Sequence, residues 1–352
     1  MNYKKIKFYQ AINEALEFSL KKDGKLICYG LGVNDPKRTF STTSNLLEKF
    51  GNKRVFDVPN SENSIMGTSV GAALGGIKSV ITHQRLDFFL LAMDQLVNSA
   101  AKWKYMFGRK KSLPITIRLI IGRGWGQGPT HSQNLQSWFY HIPGLKIVCP
   151  SNPNDAKQLL IDSIFDPNPV IFLEHRWLHN IYGTVSNPKI KNLKLNKVLK
   201  KGKDLTIISN GYLTLEAIKA SEILKSKFRI EIEIIDLKLV KPLNLNLILK
   251  SVKKTKRLIC LDTGMVSGSI SADIVSKVAS KLFNNLKFPP IIMGLPDIPI
   301  PSTYEGAKFY INYKDIILKT LKLMKIKKKI NKKQFKSDGP IDIPGNWFKG
   351  PF

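Results

Sequence analysis

The chain has 352 residues and a formal net charge of +30, yet its 43% hydrophobic and 23% charged composition is that of an ordinary folded protein. Its length allows two domains, each able to bury a core. No apolar run is long enough to span a bilayer, and the basic amino terminus lacks the apolar stretch of a secretory signal. Cys28, Cys149 and Cys260 are odd in number and set in or beside apolar strand-like runs, which points to free thiols of a reducing cytoplasm and away from disulfides or a metal site.

Residues 7–21 carry Phe8, Ile12, Leu16 and Leu20 at helical spacing and lead into a strand at 26–30. A Gly-, Asn- and Pro-containing loop, a helix near 43–50 and a strand at 54–58 follow. After Pro59 comes a helix of small residues, with Asn60 or Ser61 placed to cap it, and then a strand at 78–82. Residues 87–107 read as a long helix whose first half is apolar nearly all round, the pattern of a buried helix. Strand 114–121, helix 133–140, strand 145–149, helix 153–165 and strand 169–173 complete the first half.

Residues 180–203 lose periodicity and read as a linker. Strands at 204–209, 230–236, 257–262 and 290–293 then alternate with helices at 213–226, 244–253, 268–284 and 314–325. The alternation predicts an α/β protein with mostly parallel sheets and helices on both faces. The expected domains are residues 1–180 and 204–325, joined by 181–203 and followed by a basic, aromatic-ended tail at 326–352.

Most lysines are scattered among Asn and Ile, and only 322–336 forms a dense run. With no recognised binding module beside it, this charge gives little support to a nucleic-acid role. A non-catalytic basic scaffold or nucleic-acid binder is the reading from outside enzymology. It requires sequence-selective duplex binding that survives added salt. Lysines 322–336 read as a solvated run, and Trp347, Phe348 and Phe352 beyond them as a docking segment.

Gly67, Gly71 and Gly75 recur every fourth residue on the small-residue helix, so another backbone or a flat ligand can approach that face. Glu62 lies in its first turn, where an acid also simply complements the helix dipole. The ladder Gly122-Arg-Gly-Trp-Gly-Gln-Gly128 follows a strand, but its spacing and Pro129 depart from the dinucleotide pattern. It reads either as a loop that needs positive φ or as one that brings backbone and His131 to a ligand, where that ring could shuttle protons near neutral pH. Phe88 suits core packing or stacking on a planar heterocycle. No His–Cys spacing suggests a metal, so none is assigned to this chain.

In order along the chain stand Leu-Leu-Glu-Lys-Phe-Gly (46–51), Asn-Ser-Glu-Asn-Ser-Ile-Met-Gly-Thr-Ser-Val-Gly-Ala-Ala (60–73), Met-Asp-Gln-Leu-Val-Asn-Ser-Ala-Ala-Lys (93–102), Thr-His-Ser-Gln (130–133), the Pro-Gly-Leu-Lys-Ile-Val-Cys-Pro-Ser run from 143, and Pro-Val-Ile-Phe-Leu-Glu-His (169–175). On these motifs the chain closely resembles the beta subunit of thiamine-diphosphate-dependent 2-oxo acid dehydrogenases of the pyruvate and branched-chain type, within the transketolase-like superfamily. The resemblance implies a pyrimidine-binding domain followed by a smaller transketolase C-terminal-like α/β domain.

By the same resemblance, Glu62 would hydrogen-bond the cofactor's aminopyrimidine and help its amino group take the thiazolium proton, a task suited to a carboxyl kept protonated by desolvation. Phe88 would stack on the pyrimidine, and His131 would face the substrate or acceptor. The family grips magnesium and diphosphate through Gly-Asp-Gly…Asn on another subunit, and this sequence contains no Gly-Asp-Gly. It is therefore expected to be half an active site, completed by an alpha subunit in a heterotetramer and delivering acyl groups to a lipoyl carrier. Two stretches depart from the family. Gly30 is followed by Leu31-Gly32-Val33 instead of acidic residues, and the approach to Phe88 reads Thr82-His83-Gln84-Arg85. With Arg123, His83 and Arg85 become substrate-side candidates, suggesting an anionic or polyhydroxylated substrate. A split transketolase-like ketol transferase acting on a sugar is thus the alternative enzyme.

Overall fold

A computed structural model describes residues 3–108, 112–122, 127–326 and 343–348. In chain order its strands are β1 (Lys4–Lys7), β2 (Ile27–Gly30), β3 (Val55–Asp57), β4 (Ser79–His83), β5 (Ile115–Ile121), β6 (Lys146–Val148), β7 (Val170–His175), β8 (Tyr182–Val185), β9 (Val198–Lys200), β10 (Leu205–Ser209), β11 (Ile232–Asp236), β12 (Leu239–Lys241), β13 (Leu258–Met265) and β14 (Ile291–Leu295). Two compact units emerge, one formed by 1–122, 130–194 and 239–242, the other by 123–129, 195–238 and 243–352.

The first unit is built on a seven-stranded sheet of order β12-β6-β7-β5-β4-β2-β3, in which only the β12–β6 pair is antiparallel. β4, β5 and β7 are buried along their whole length, as strands covered on both faces must be. Helices Phe8–Lys22 and Pro153–Ile164 pack on each other. The second begins where Asn152 accepts the Asp155 N–H at 2.9 Å and Pro153 supplies a preset first residue. The chain leaves β2 for β3 on one side and returns to β4 on the other. The carboxyl ends of β2 and β4 therefore flank a topological switch point, where open α/β sheets bind ligands.

The second unit carries a five-stranded sheet of order β14-β13-β10-β11-β9, parallel except for β9. Three of its helices start at side-chain caps: Asn244 accepts from Leu247 N–H, Ser269 from Ala272 N–H, and Asn312 forms a capping box with Asp315. The alternation expected from sequence is thus present in both units.

Four local expectations need correction. The stretch 87–107 is not one buried helix but α-helix Leu86–Phe89, a 3₁₀ turn Leu90–Ala92, a π segment Gln95–Ala100 and a short α-helix Trp103–Met106. Leu91 (68% exposed) and Tyr105 (90%) lie open, because the apolar pattern reports hydrophobicity and not which polypeptide covers it. Ser61 precedes the small-residue helix, now Glu62–Leu74, without making a side-chain cap. The 181–203 stretch contains β8 and β9, which pair with β1 and β11. Of the tail, only 343–348 is described, and Phe348 there is buried.

Candidate active site at the carboxyl end of the first sheet

The described candidates all lie at or beyond carboxyl ends of strands of one sheet: Glu62 after β3, His83 ending β4, Arg85 and Phe88 just past it, and His131 beyond β5. Arg123 lies outside the described residues. Gly30, with φ +151°, lets β2 run against β4, since a Cβ there would meet Thr82 O at 2.0 Å. Asp57, at the end of β3, accepts the backbone N–H groups of Val33 (2.6 Å) and Asn34 (3.1 Å) and ties down the loop after β2.

Glu62 is the first residue of its helix and only 8% exposed. Among the described residues its carboxyl makes no hydrogen bond or ion pair, which leaves both oxygens free to bond a ligand. The helix is anchored to β2 by Tyr29, whose hydroxyl donates to Ile65 O at 3.2 Å and shares a short hydrogen bond with Ser69. It packs along Leu90–Ala92 and Gln95–Ala100. A Cβ on Gly67 would stand 3.7 Å from Gln95, whereas Gly71 faces open space, so in this chain the small-residue face is only partly used.

Phe88 and His131 are brought together, their ring centroids 5.2 Å apart and nearly perpendicular at 88°. Asp87 fixes this contact by accepting from the Gln133 side-chain amide at 2.9 Å and its N–H at 3.3 Å. The Thr130 hydroxyl shares a hydrogen bond with His131 Nδ1 at 2.9 Å. Phe88 remains 37% exposed, so the pair is accessible.

His83 and Arg85 sit deeper. His83 is fully buried, edge-on to Phe89 at 5.0 Å, and burial pushes its pKa down to about 4. Arg85 Nη1 donates to Gly122 O at 2.9 Å, and its guanidinium lies 5.8 Å from the centre of the Phe40 ring. Arg176, just beyond β7, lies over the same ring at 4.3 Å. Burial pushes Arg85 down to about 10, while burial and then the neighbouring Arg85 push Arg176 to about 9. Phe40 is presented by Arg38–Ser41, a turn with φ between 45° and 68° throughout, at a strain of roughly 1–2 kcal/mol per residue.

Beneath them Arg118 grips Glu174 with two bonds, at 2.6 and 3.0 Å, and reaches Thr42 Oγ1 at 2.9 Å. Burial alone would raise the Glu174 pKa, but Arg118 beside it holds the carboxyl below its usual value. Sequence reasoning missed Arg176, Phe40 and the Arg118–Glu174 pair. The alternation of Arg118 and Glu174 with apolar residues inside two strands was the available signal, since charges there must be paired.

Glu62 fits the nitrogen-rich end of an aminopyrimidine, and the exposed Phe88 ring fits its face. Among the described residues no group of three His, Cys, Asp or Glu side chains is placed to hold a metal ion.

Two family models match the chain: Transketolase, pyrimidine binding domain, over residues 4–180, and Transketolase, C-terminal domain, over residues 195–314. The acetoin:2,6-dichlorophenolindophenol oxidoreductase subunit beta of Cupriavidus necator is 36% identical over 320 residues, spanning 88% of this chain and 94% of that protein. The mitochondrial pyruvate dehydrogenase E1 component subunit beta of Chaetomium thermophilum is 37% identical over 297 residues, spanning 83% and 78%. Its Bacillus subtilis counterpart is 33% identical over 310 residues, spanning 88% and 95%. Among solved structures, a split gene transketolase in an inactive beta4 tetramer shares the fold, with a TM-score of 0.72 at 20% identity over 92% of this chain and 99% of that one.

Proposed function

The chain belongs to the transketolase family, in the form of a beta-type subunit of a two-chain thiamine-diphosphate enzyme, and from that premise we propose which half of the active site it supplies. The observation that carries the reading is Glu62: a mostly buried residue whose carboxyl has no partner among the described residues, at the ligand-binding end of a parallel sheet.

When bound, thiamine diphosphate supplies the nucleophilic carbon that opens a bond beside a carbonyl. This chain's part is to receive the pyrimidine. Glu62 makes the hydrogen bond that fixes the ring's orientation and exchanges a proton with it, while Phe88 covers one face and excludes water. His131, held edge-on to Phe88 and steadied by Asp87 and Gln133, carries a proton on the substrate side. Arg85 and Arg176 give this end of the sheet a positive potential that favours an anionic substrate.

Magnesium and the diphosphate are assigned to an alpha partner, in a heterotetramer. The reaction is decarboxylation of a 2-oxo acid with acyl transfer to a lipoyl carrier. No helix of the described residues is long and apolar enough to cross a membrane. Three buried free cysteines support work in a reducing cytoplasm.

Reconstitution with the partner tests the reading. Carbon dioxide release from a 2-oxo acid is expected. Ketol exchange between sugars without carbon dioxide release would establish the second reading, which the Arg85–Arg176 pair favours because it suits a sugar phosphate. If this chain alone bound thiamine diphosphate and magnesium with roughly micromolar affinity, the half-site assignment would be wrong.

A further inference from the structure

The two edges of the second unit's sheet are treated differently by the sequence. β9 has three residues and lies among Lys197, Lys200 and Lys201, a short edge blunted by charge. β14 is Ile-Ile-Met-Gly-Leu, with no charge and no proline, hydrogen-bonded to β13 on one side and, among the described residues, forming the sheet edge on the other. Ile291 to Gly294 are only half-buried. Such an edge invites another strand, and stable proteins rarely leave one bare without a use for it.

Beside it lies a groove of about 410 Å³ between β14 and helix Tyr313–Leu323. Its floor is apolar, from Ile292, Met293, Val266 and Leu318. Gly294 keeps this strand close to its neighbour, since a Cβ there would meet Gly264 O at 2.9 Å. Lys319 and Lys322, three apart on one helix face and both exposed, form the rim. Asp315 also borders the groove, but its carboxylate is engaged in capping the helix, accepting from Asn312 N–H at 3.2 Å.

We propose that the β14 edge and this groove form a docking site for an extended, acidic segment of another polypeptide, which adds a strand to β14. Main-chain hydrogen bonds to the edge supply affinity. Alternate apolar side chains enter the groove, and carboxylates meet Lys319 and Lys322. The rim argues for an acidic partner over a second copy of this chain, because two copies would bring like-charged rims and net charges of +30 together. The site is independent of the thiamine reading, which concerns the other unit.

The test uses the full chain with its partner and a fluorescent peptide of alternating valine and glutamate, with a valine–lysine peptide as control. Saturable binding of the acidic peptide alone is expected. Lys319→Glu with Lys322→Glu should weaken it by roughly tenfold or more. Lys250→Glu with Lys253→Glu, exposed and equally spaced on another helix, should leave it unchanged. Met293→Pro, checked for folding by circular dichroism, should also weaken binding by distorting the edge. Absent binding, equal binding of both peptides, or equal weakening by both lysine pairs would overturn the proposal. So would a concentration-dependent self-association lost in the Lys319/Lys322 variant, which would assign the edge to a second copy.

Discussion

At the scale of single residues, the site combines groups whose roles differ in how much the surroundings decide. The Arg118–Glu174 pair is completely buried, so removing one partner leaves an uncompensated charge. Glu174→Gln should lower stability by about 3–5 kcal/mol, read as a shift in the urea midpoint. A neutral result would mean that the charge of Glu174 is not needed to hold Arg118. Three buried histidines make a second prediction. Burial holds His83 and His179 down to about 4 and His175 to about 3.

In the unfolded chain such rings take up protons near pH 6.5. Between that pH and the folded values the unfolded state binds more protons, so the stability these residues contribute is present above pH 6.5 and is lost as pH falls. The urea midpoint should be lower at about pH 5 than at about pH 7, with a smaller difference in His83→Gln. A wild-type midpoint that does not move would contradict this account of burial. Glu62, Phe88 and His131 were singled out by ordered motifs, and the strands carry them to the same end of one sheet. Arg176 and Phe40 were not, because 136 residues separate them and only the strand order brings their loops together.

At the scale of elements, the broken helical stretch Leu86–Met106 is the informative case. Its sequence announces an apolar segment, yet Leu91 and Tyr105 are exposed, and so are Met106 (51%), Phe107 (54%) and Trp138 (53%). Exposed aromatic and aliphatic side chains of this kind are what a partner subunit would bury. Leu91→Asp combined with Tyr105→Asp should abolish co-purification with the partner while leaving the circular dichroism of this chain unchanged. Retained co-purification would place the partner elsewhere. The parallel strands were readable as apolar runs. β1, β9 and β12 were not, because they span only three or four residues, each with at least one lysine, and pairing alone makes them strands. The π segment likewise arises from packing against the small-residue helix, which no propensity encodes.

At the scale of the whole molecule, the sequence pointed to two α/β domains and, lacking a Gly-Asp-Gly motif, to an expected active site finished by another polypeptide. The fold shows how such a half-site would still be specific. One parallel sheet places an acid, an accessible ring pair and two arginines at the carboxyl ends of its strands. The measurement that bears most directly on this account is turnover by the reconstituted complex carrying Glu62→Gln. A loss of at least roughly a hundredfold, with assembly and folding unchanged, is the expected result. Turnover close to that of the unmodified complex would return Glu62 to a helix-opening acid and contradict the account.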